Sequence, residues 1–441
     1  MPHRTTRRRF LQASAAGASA FFSWPLLADD KKPSANERLH VGVIGVAAQG
    51  EYDWTNVVKA GAEVVAWCDV DESRTGKART DFPKATFDVD FRDLLDRKGI
   101  DAVIVATPDH THAVATVAAL KSGRHVYCEK PLTHDVYEAR VVAETAAKEK
   151  KVTQMGTQIH AGGNYRRVVE LIQGGAIGPV KEVHVWCSTS YGGAKRPSET
   201  EAVPKDLHWD LWLGTAPERP FYRGKRDNHG YRYEPFNWRK WWDFGGGALT
   251  DMACHYTDLP FWALKLRHPT KVSAEGNPRP ADAEAAADWL IVNYEFPARG
   301  DLPAVKLTWY DGGKQPPHVA RKEVPAWGSG VLFVGEKGML VADYNRRQLL
   351  PEKTFEGFVP PKPTIPDSIG HHKEWVEACK SGGATTCNFD YAGALTEAVL
   401  LGAVSYRVGK PLEWDAKNLK ATNCPDAEKY LRRTYRKPWT L

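Results

Sequence analysis

The chain lacks several things that would narrow its function quickly. None of its seven cysteines forms a Cys-x-x-Cys pair, and the number is odd. This argues against zinc ribbons and a dense disulfide framework, and the thiols read as small buried apolar groups. No group of His, Cys, Asp and Glu has metal-ligand spacing, so no metal is expected. There is no internal repeat, heptad pattern or low-complexity tract. Residues 13–27 are weakly apolar, but the run is too short to span a bilayer. Acidic residues are missing before Asp29, whereas Arg4, Arg7, Arg8 and Arg9 fall in the first nine positions. The formal charge of +6 is therefore mostly local, and the rest of the chain is nearly neutral. That leaves no basic surface to suggest a nucleic-acid partner.

What is present begins with an address. Thr6-Arg7-Arg8-Arg9-Phe10-Leu11, followed by the Ala- and Ser-rich stretch, has the basic head and apolar middle of an export signal. The paired arginines resemble the twin-arginine type, which exports proteins already folded. The expectation is a signal over residues 1–28, a polar linker over 29–38 and a periplasmic or cell-envelope location. No membrane span would remain after signal removal. A length of 441 residues exceeds what one core usually serves, so two domains are expected, at 39–157 and 158–441.

Residues 39–157 alternate apolar strands with helices, the pattern of a parallel sheet with right-handed crossovers. Leu39 to Gly45 is the first strand. The turn Gly45-Val46-Ala47-Ala48-Gln49-Gly50 keeps the first and third glycines of G-x-G-x-x-G, with Ala47 in the middle position. Such a turn seats a pyrophosphate at a helix N-terminus. The next strand ends in Asp69, 24 residues after Gly45, where a carboxylate can accept from ribose hydroxyls and repel a 2′-phosphate. NAD is therefore expected over NADP, with Arg74 close enough to weaken the preference. Thr107 and Pro108, and then Glu129 and Lys130, follow later strands, at the carboxyl edge where ligands of such sheets bind.

These segments resemble the Gfo/Idh/MocA oxidoreductases. The carrying residues are the turn at Gly45–Gly50, Ala106-Thr-Pro-Asp-His-Thr-His112, Cys128-Glu-Lys-Pro131 and the stretch from Gly245 to Asp258. Asp109 stands where that family commonly has Asn. The resemblance implies a Rossmann domain followed by an α+β domain with a large, mostly antiparallel open sheet, which supports a homodimer or homotetramer. It makes Lys130 the catalytic lysine and Asp251 and His255 an acid–base pair. Four residues apart on a helix, Asp251 and His255 share one face. A lysine beside a developing alkoxide lowers the cost of its charge, and a histidine takes the proton. Gln49, Gln158 and His112 complete the residues expected around the dinucleotide, which the enzyme should load before export. Gly245-Gly246-Gly247 is expected to leave backbone room beside it.

The substrate expected is a carbohydrate, with Asp251, His255, His160, Tyr191 and Trp238 as its contacts. Residues 191–240 are rich in Trp, Arg and Pro. Trp238 could pack on a sugar face, while most of the other tryptophans are expected to glue an irregular loop to the sheet or to another subunit. His110 reads as a helix-start residue near the nicotinamide, and His371 and His372 as structural. Two activities satisfy the same residues. One is a sugar or polyol oxidoreductase with a tightly bound cofactor. The other is a glycosidase acting through transient oxidation, elimination, hydration and re-reduction.

Overall fold

Short apolar runs build the first sheet. In a computed structural model describing residues 38–192, 195–196, 198–227, 230–278 and 283–441, six strands lie parallel. They are β1 His40–Ile44, β2 Glu63–Cys68, β3 Thr86–Asp88, β4 Ala102–Val105, β5 His125–Cys128 and β6 Thr153–Met155, in the order β3-β2-β1-β4-β5-β6. Strand order reverses at β1 and β4, so the crevice beyond their carboxyl ends is the place for a ligand. β3 is too short and too half-buried to announce itself in the sequence. The segment expected to be an export signal and nearly all of the linker lie outside the described residues.

Helices α1 Gln49–Lys59, α2 Asp109–Lys121 and α3 Val136–Glu149 make three of the five crossovers, and the short helices Gly76–Asp81 and Phe91–Asp96 lie in the other two. α3 starts with a capping box, Asp135 and Glu138 each bonding the other's backbone N–H. After α4, Gly163–Gln173, comes a nine-stranded sheet made of β7 Val180–Cys187, β8 Lys271–Gly276, β9 Leu290–Phe296, β10 Val305–Tyr310, β11 Ser329–Gly335, β12 Gly338–Ala342, β13 Arg347–Leu350, β14 Leu412–Asp415 and β15 Lys420–Ala421. Its order is β13-β12-β11-β7-β10-β9-β8-β14-β15. The sheet is mixed rather than wholly antiparallel, because β7 and β10 run parallel at its centre. Residue alternation shows on β9, where every second side chain is buried.

Helix α5, Gly247–Tyr256, connects the aromatic insert to this sheet, and α6 His371–Ser381 and α7 Phe389–Val408 follow it. α6 returns to the first domain. Its Trp375 and Val376 share a core with Val41, Trp54 and Tyr127, and His372 bonds Asp53 at 2.9 Å. His371 and His372 are structural, as their position suggested. α7 is buried nearly all round, the signature of a central helix. Among the described residues no helix is long and apolar enough to cross a membrane. Trp209, Trp212 and Trp241 are buried with Phe221, Tyr233 and Phe244 in a cluster of their own, and Trp209 and Trp212 stack at 4.7 Å. They hold the insert together around a core of its own, rather than gluing it to the sheet as expected. The seven cysteines are unpaired; six are buried and Cys379 is half-buried.

Candidate active site

The β1–α1 turn is held open by atoms no side chain could share. Gly45 takes a φ of +85°, and a Cβ there would lie 2.6 Å from the Ala106 carbonyl oxygen. A Cβ on Gly50 would lie 1.9 Å from the carbonyl oxygen of Gly45. Ala47 stands on the cleft wall, while the left-handed bend falls on Ala48, with φ +53°. No side chain caps α1, and Ala47, Ala48 and Gln49 at its start line the cleft. Asp69 braces the turn from β2: one carboxylate oxygen accepts from Val46 N–H and the other from Asp71 N–H, each at 3.0 Å. These residues fit a dinucleotide, with a glycine cradle for the pyrophosphate and a carboxylate at the end of β2.

The cleft has a volume of about 530 Å³ and runs from this turn in two directions. One end is walled by Asp69, Asp71, Arg74, Phe91, Glu234 and Trp439. Burial, and then the neighbouring Asp71, push the Glu234 carboxyl up to about 7. Trp439 comes from the far end of the sequence, with the Arg92 guanidinium 4.9 Å above its ring. Thr107 and Pro108 line the middle, and Glu129, Lys130, Asp109, Trp238 and Arg239 the other end.

There Lys130 Nζ donates to Asp251 Oδ1 at 2.5 Å, joining the end of β5 to α5. Arg239 Nε donates to the same oxygen at 3.2 Å. Burial opposes the charge of Asp251, but Lys130 and Arg239 overcome it and hold the carboxyl well below its usual range. Lys130 is likewise opposed by burial and raised by Asp251, so it is a standing cation. Burial and the charge of Lys130 lower His255 to about 3 against the pull of Asp251, so its imidazole is neutral. The Tyr191 hydroxyl also reaches Asp251. Asp251, Tyr191 and His255 lie outside the cleft lining, which Asp251 meets through Lys130 and Arg239. Asp109 is buried, and burial pushes it up to about 8 against Arg239 and Lys130.

Several expected contacts are corrected. Both ring nitrogens of His112 lie 2.8 Å from backbone oxygens, of Pro131 and Thr107. It therefore clamps two strand-end loops instead of facing the cleft. His110 is buried against the Trp212 carbonyl at 2.9 Å, likewise off the cleft. His160 is buried, 2.8 Å from Asp258 and stacked on Trp262, away from the cleft. Gln158 reaches the cleft only through Glu129, to which it donates at 2.6 Å; Gln49 donates to the same oxygen at 3.2 Å from the cleft wall itself. The triple glycine leaves room for protein, not cofactor: a Cβ on Gly245 would come 2.9 Å from the Arg239 Cα. Sequence reasoning passed over Arg239, Asp71, Glu234 and Trp439. Arg239 had a signal, since it adjoins Trp238.

Two family models match the chain. One, described as "Oxidoreductase family, NAD-binding Rossmann fold", covers residues 39–157. The other, "Oxidoreductase family, C-terminal alpha/beta domain", covers residues 166–302, and together they take in more than half the sequence. The chain belongs to the Gfo/Idh/MocA oxidoreductase family. A relative from Saccharopolyspora erythraea, inositol 2-dehydrogenase 1, is 33% identical over 150 residues, which is 33% of this chain and 44% of the relative. A glycosyl hydrolase family 109 protein from a Shewanella species is 28% identical over 203 residues, 40% of this chain and 44% of its own length. The chain thus spans less than half the length of these curated relatives. The WlbA dehydrogenase from Bordetella pertussis, solved with NADH and UDP-GlcNAcA, superposes with a TM-score of 0.59 at 17% identity, over 86% of this chain and 99% of that one, which shows the shared fold.

Proposed function

We propose that the protein is an NAD-dependent oxidoreductase that moves hydride between a sugar or polyol hydroxyl carbon and a tightly held dinucleotide. The observation that carries this reading is the Lys130–Asp251 pair at one end of a cleft whose middle is a glycine-cradled helix N-terminus. A bound nicotinamide supplies the hydride acceptor. The chain supplies the rest. Lys130 holds a positive charge where the hydroxyl oxygen becomes negative, and Asp251 fixes that ammonium. His255, neutral and within electrostatic reach of Lys130 and Asp251 but outside the cleft lining, is assigned the hydroxyl proton on the family resemblance. Asp69, Asp71 and Glu234 crowd one end with acceptors for ribose hydroxyls, which favours NAD over NADP despite Arg74.

A second reading is the glycosidase. The match to the family 109 protein favours it, and the same residues serve. Oxidation at a ring carbon acidifies the neighbouring C–H, the aglycone leaves by elimination, water adds and the hydride returns. Aryl glycosides separate the readings. Aglycone release without lasting NADH selects the glycosidase, and lasting NADH or stoichiometric reduction of an added keto-sugar selects the oxidoreductase. Absence of both ends the proposal.

The proposal includes export through a twin-arginine-type signal at residues 1–28, loading of the dinucleotide before export, and a dimer or tetramer built on the nine-stranded sheet. The support is the Arg7-Arg8-Arg9-Phe10 sequence and the sheet's breadth. Native mass spectrometry of protein from the envelope fraction reads processed mass, dinucleotide identity and subunit number together. An unprocessed, cofactor-free monomer would contradict all three.

A further inference from the structure

We propose that Arg239 is an anion-recognition residue and that the substrate is a sugar acid whose carboxylate it binds; this rests on the carbohydrate oxidoreductase reading above. The protein goes to some length to fix this one cation on the cleft wall. Its guanidinium carbon lies 4.2 Å from the Phe236 ring and 4.2 Å from the Trp238 ring. Rings so placed restrict the planar fork and favour its charge. Nε is tied to Asp251 at 3.2 Å and Nη1 to the Phe236 carbonyl at 3.3 Å. A guanidinium has five N–H donors, so three remain. The close seat depends on Gly245, where any Cβ would press on the Arg239 backbone.

Charge counting at this end leaves a surplus. Lys130 and Arg239 share the single carboxylate of Asp251. Asp109 keeps its proton to about pH 8 through burial, and His255 is neutral, so neither alters the sum at neutral pH. Among the described residues no other carboxylate lies within ion-pair distance of either cation, and Glu129, beside Lys130, is already engaged by Gln49, Gln158 and the Lys130 N–H. Two largely buried cations thus share one carboxylate, and a buried charge short of a partner is costly. A carboxylate with two parallel oxygens meets the spare edge of the fork in bidentate fashion. A neutral sugar offers hydroxyls but cannot cancel the charge.

Matched sugars test this with cofactor-loaded protein: glucose against glucuronate and gluconate, and galactose against galacturonate. Binding is measured by calorimetry and turnover by NADH formation. The acids should bind about 10- to 100-fold more tightly, the range set by one hydrogen-bonded charge pair. Arg239→Gln should remove most of that preference, and Arg239→Lys, which keeps the charge but loses the fork, should restore part. Equal or tighter binding of the neutral sugars by the wild-type protein overturns the proposal, whatever the variants do. So does an Arg239→Gln protein that loses affinity for the dinucleotide while keeping the preference for acids. Acids that bind selectively but transfer no hydride would support the anion site and remove the oxidoreductase reading.

Discussion

At one end of the cleft Asp69, Asp71 and Glu234 face Arg74, with Arg223 within electrostatic reach; at the other, Lys130 and Arg239 face Asp251. Burial acts at both ends and the outcome differs. Beside Asp71, burial and like charge drive Glu234 up to about 7, so the carboxyl spends much of its time as a neutral hydrogen-bonding group. Beside two cations, Asp251 stays ionised in spite of burial. Even within the cation end the contrast repeats: Asp109 is driven up to about 8 where Asp251 is held down. The deciding difference is contact. Asp251 touches Lys130 at 2.5 Å, whereas Asp109 only feels that charge from beyond hydrogen-bonding distance. The acid end is thus suited to reading diols, and the cation end to holding charge that develops during reaction.

Removing the lysine is the most severe way to break this contrast. Lys130→Ala takes away the ammonium and leaves Asp251 with Arg239 alone. The expected loss in kcat is about 10²- to 10³-fold, the scale of one preorganised stabilising group. Dinucleotide affinity, set mainly by the turn and the acid end, should change far less. Single-turnover hydride transfer and equilibrium dinucleotide binding check the two halves of this expectation. Weaker dinucleotide binding with hydride transfer unchanged would make Lys130 a binding residue only.

The two ends were also unequally legible in the sequence. The first sheet, its crossovers and the residues ending its strands could be read because each lies next to its own strand. Gly45, Gly50, Asp69 and Lys130 take their places from local chain geometry. The Lys130–Asp251 contact, 121 positions apart, was legible only through the family resemblance. His112 and His160 misled because a histidine near a strand end can turn inward as easily as outward. Only the backbone oxygens of Pro131 and Thr107, and the carboxylate of Asp258, decide which. Trp439 carried no signal at all, since its neighbour Phe91 lies far away in sequence and the ring contact is purely tertiary. The parallel β7–β10 pair was hidden for a similar reason: strand alternation gives the buried face but not the direction of the partner.

Asp109 offers a subtler test, through pH. In the folded protein it keeps its proton to about pH 8, whereas in the unfolded chain it loses it near pH 4. The folded state therefore holds the extra proton between those values, and this residue's contribution to stability falls as pH rises across the window, then levels off. Asp109→Asn keeps the shape without the titration. The variant should match the wild type below about pH 4 and exceed it above about pH 8, by on the order of 1–3 kcal/mol. Denaturant melts at pH 4 and pH 9 check this. A loss at pH 9 instead of a gain would mean that the carboxyl is ionised and paired, not merely buried, and the contrast with Asp251 would fail.

The smallest effect belongs to the acid end. Trp439 lines the cleft beside Phe91, their ring centroids 6.1 Å apart, and Arg92 lies over its outer face. On the proposed assignment of Asp69 to the ribose, the wall made by Phe91 and Trp439 would cover the adenine. Trp439→Ala should weaken binding by about 1 kcal/mol, the usual worth of one aromatic contact, or roughly five-fold in Kd. The loss should be the same for NAD and for AMP, because both carry the adenosine. Nicotinamide mononucleotide, which lacks it, should bind as before. If the mononucleotide weakened and AMP did not, the two ends would have to be exchanged: the acids would face the reacting ring, and Lys130 with Arg239 would face the adenosine.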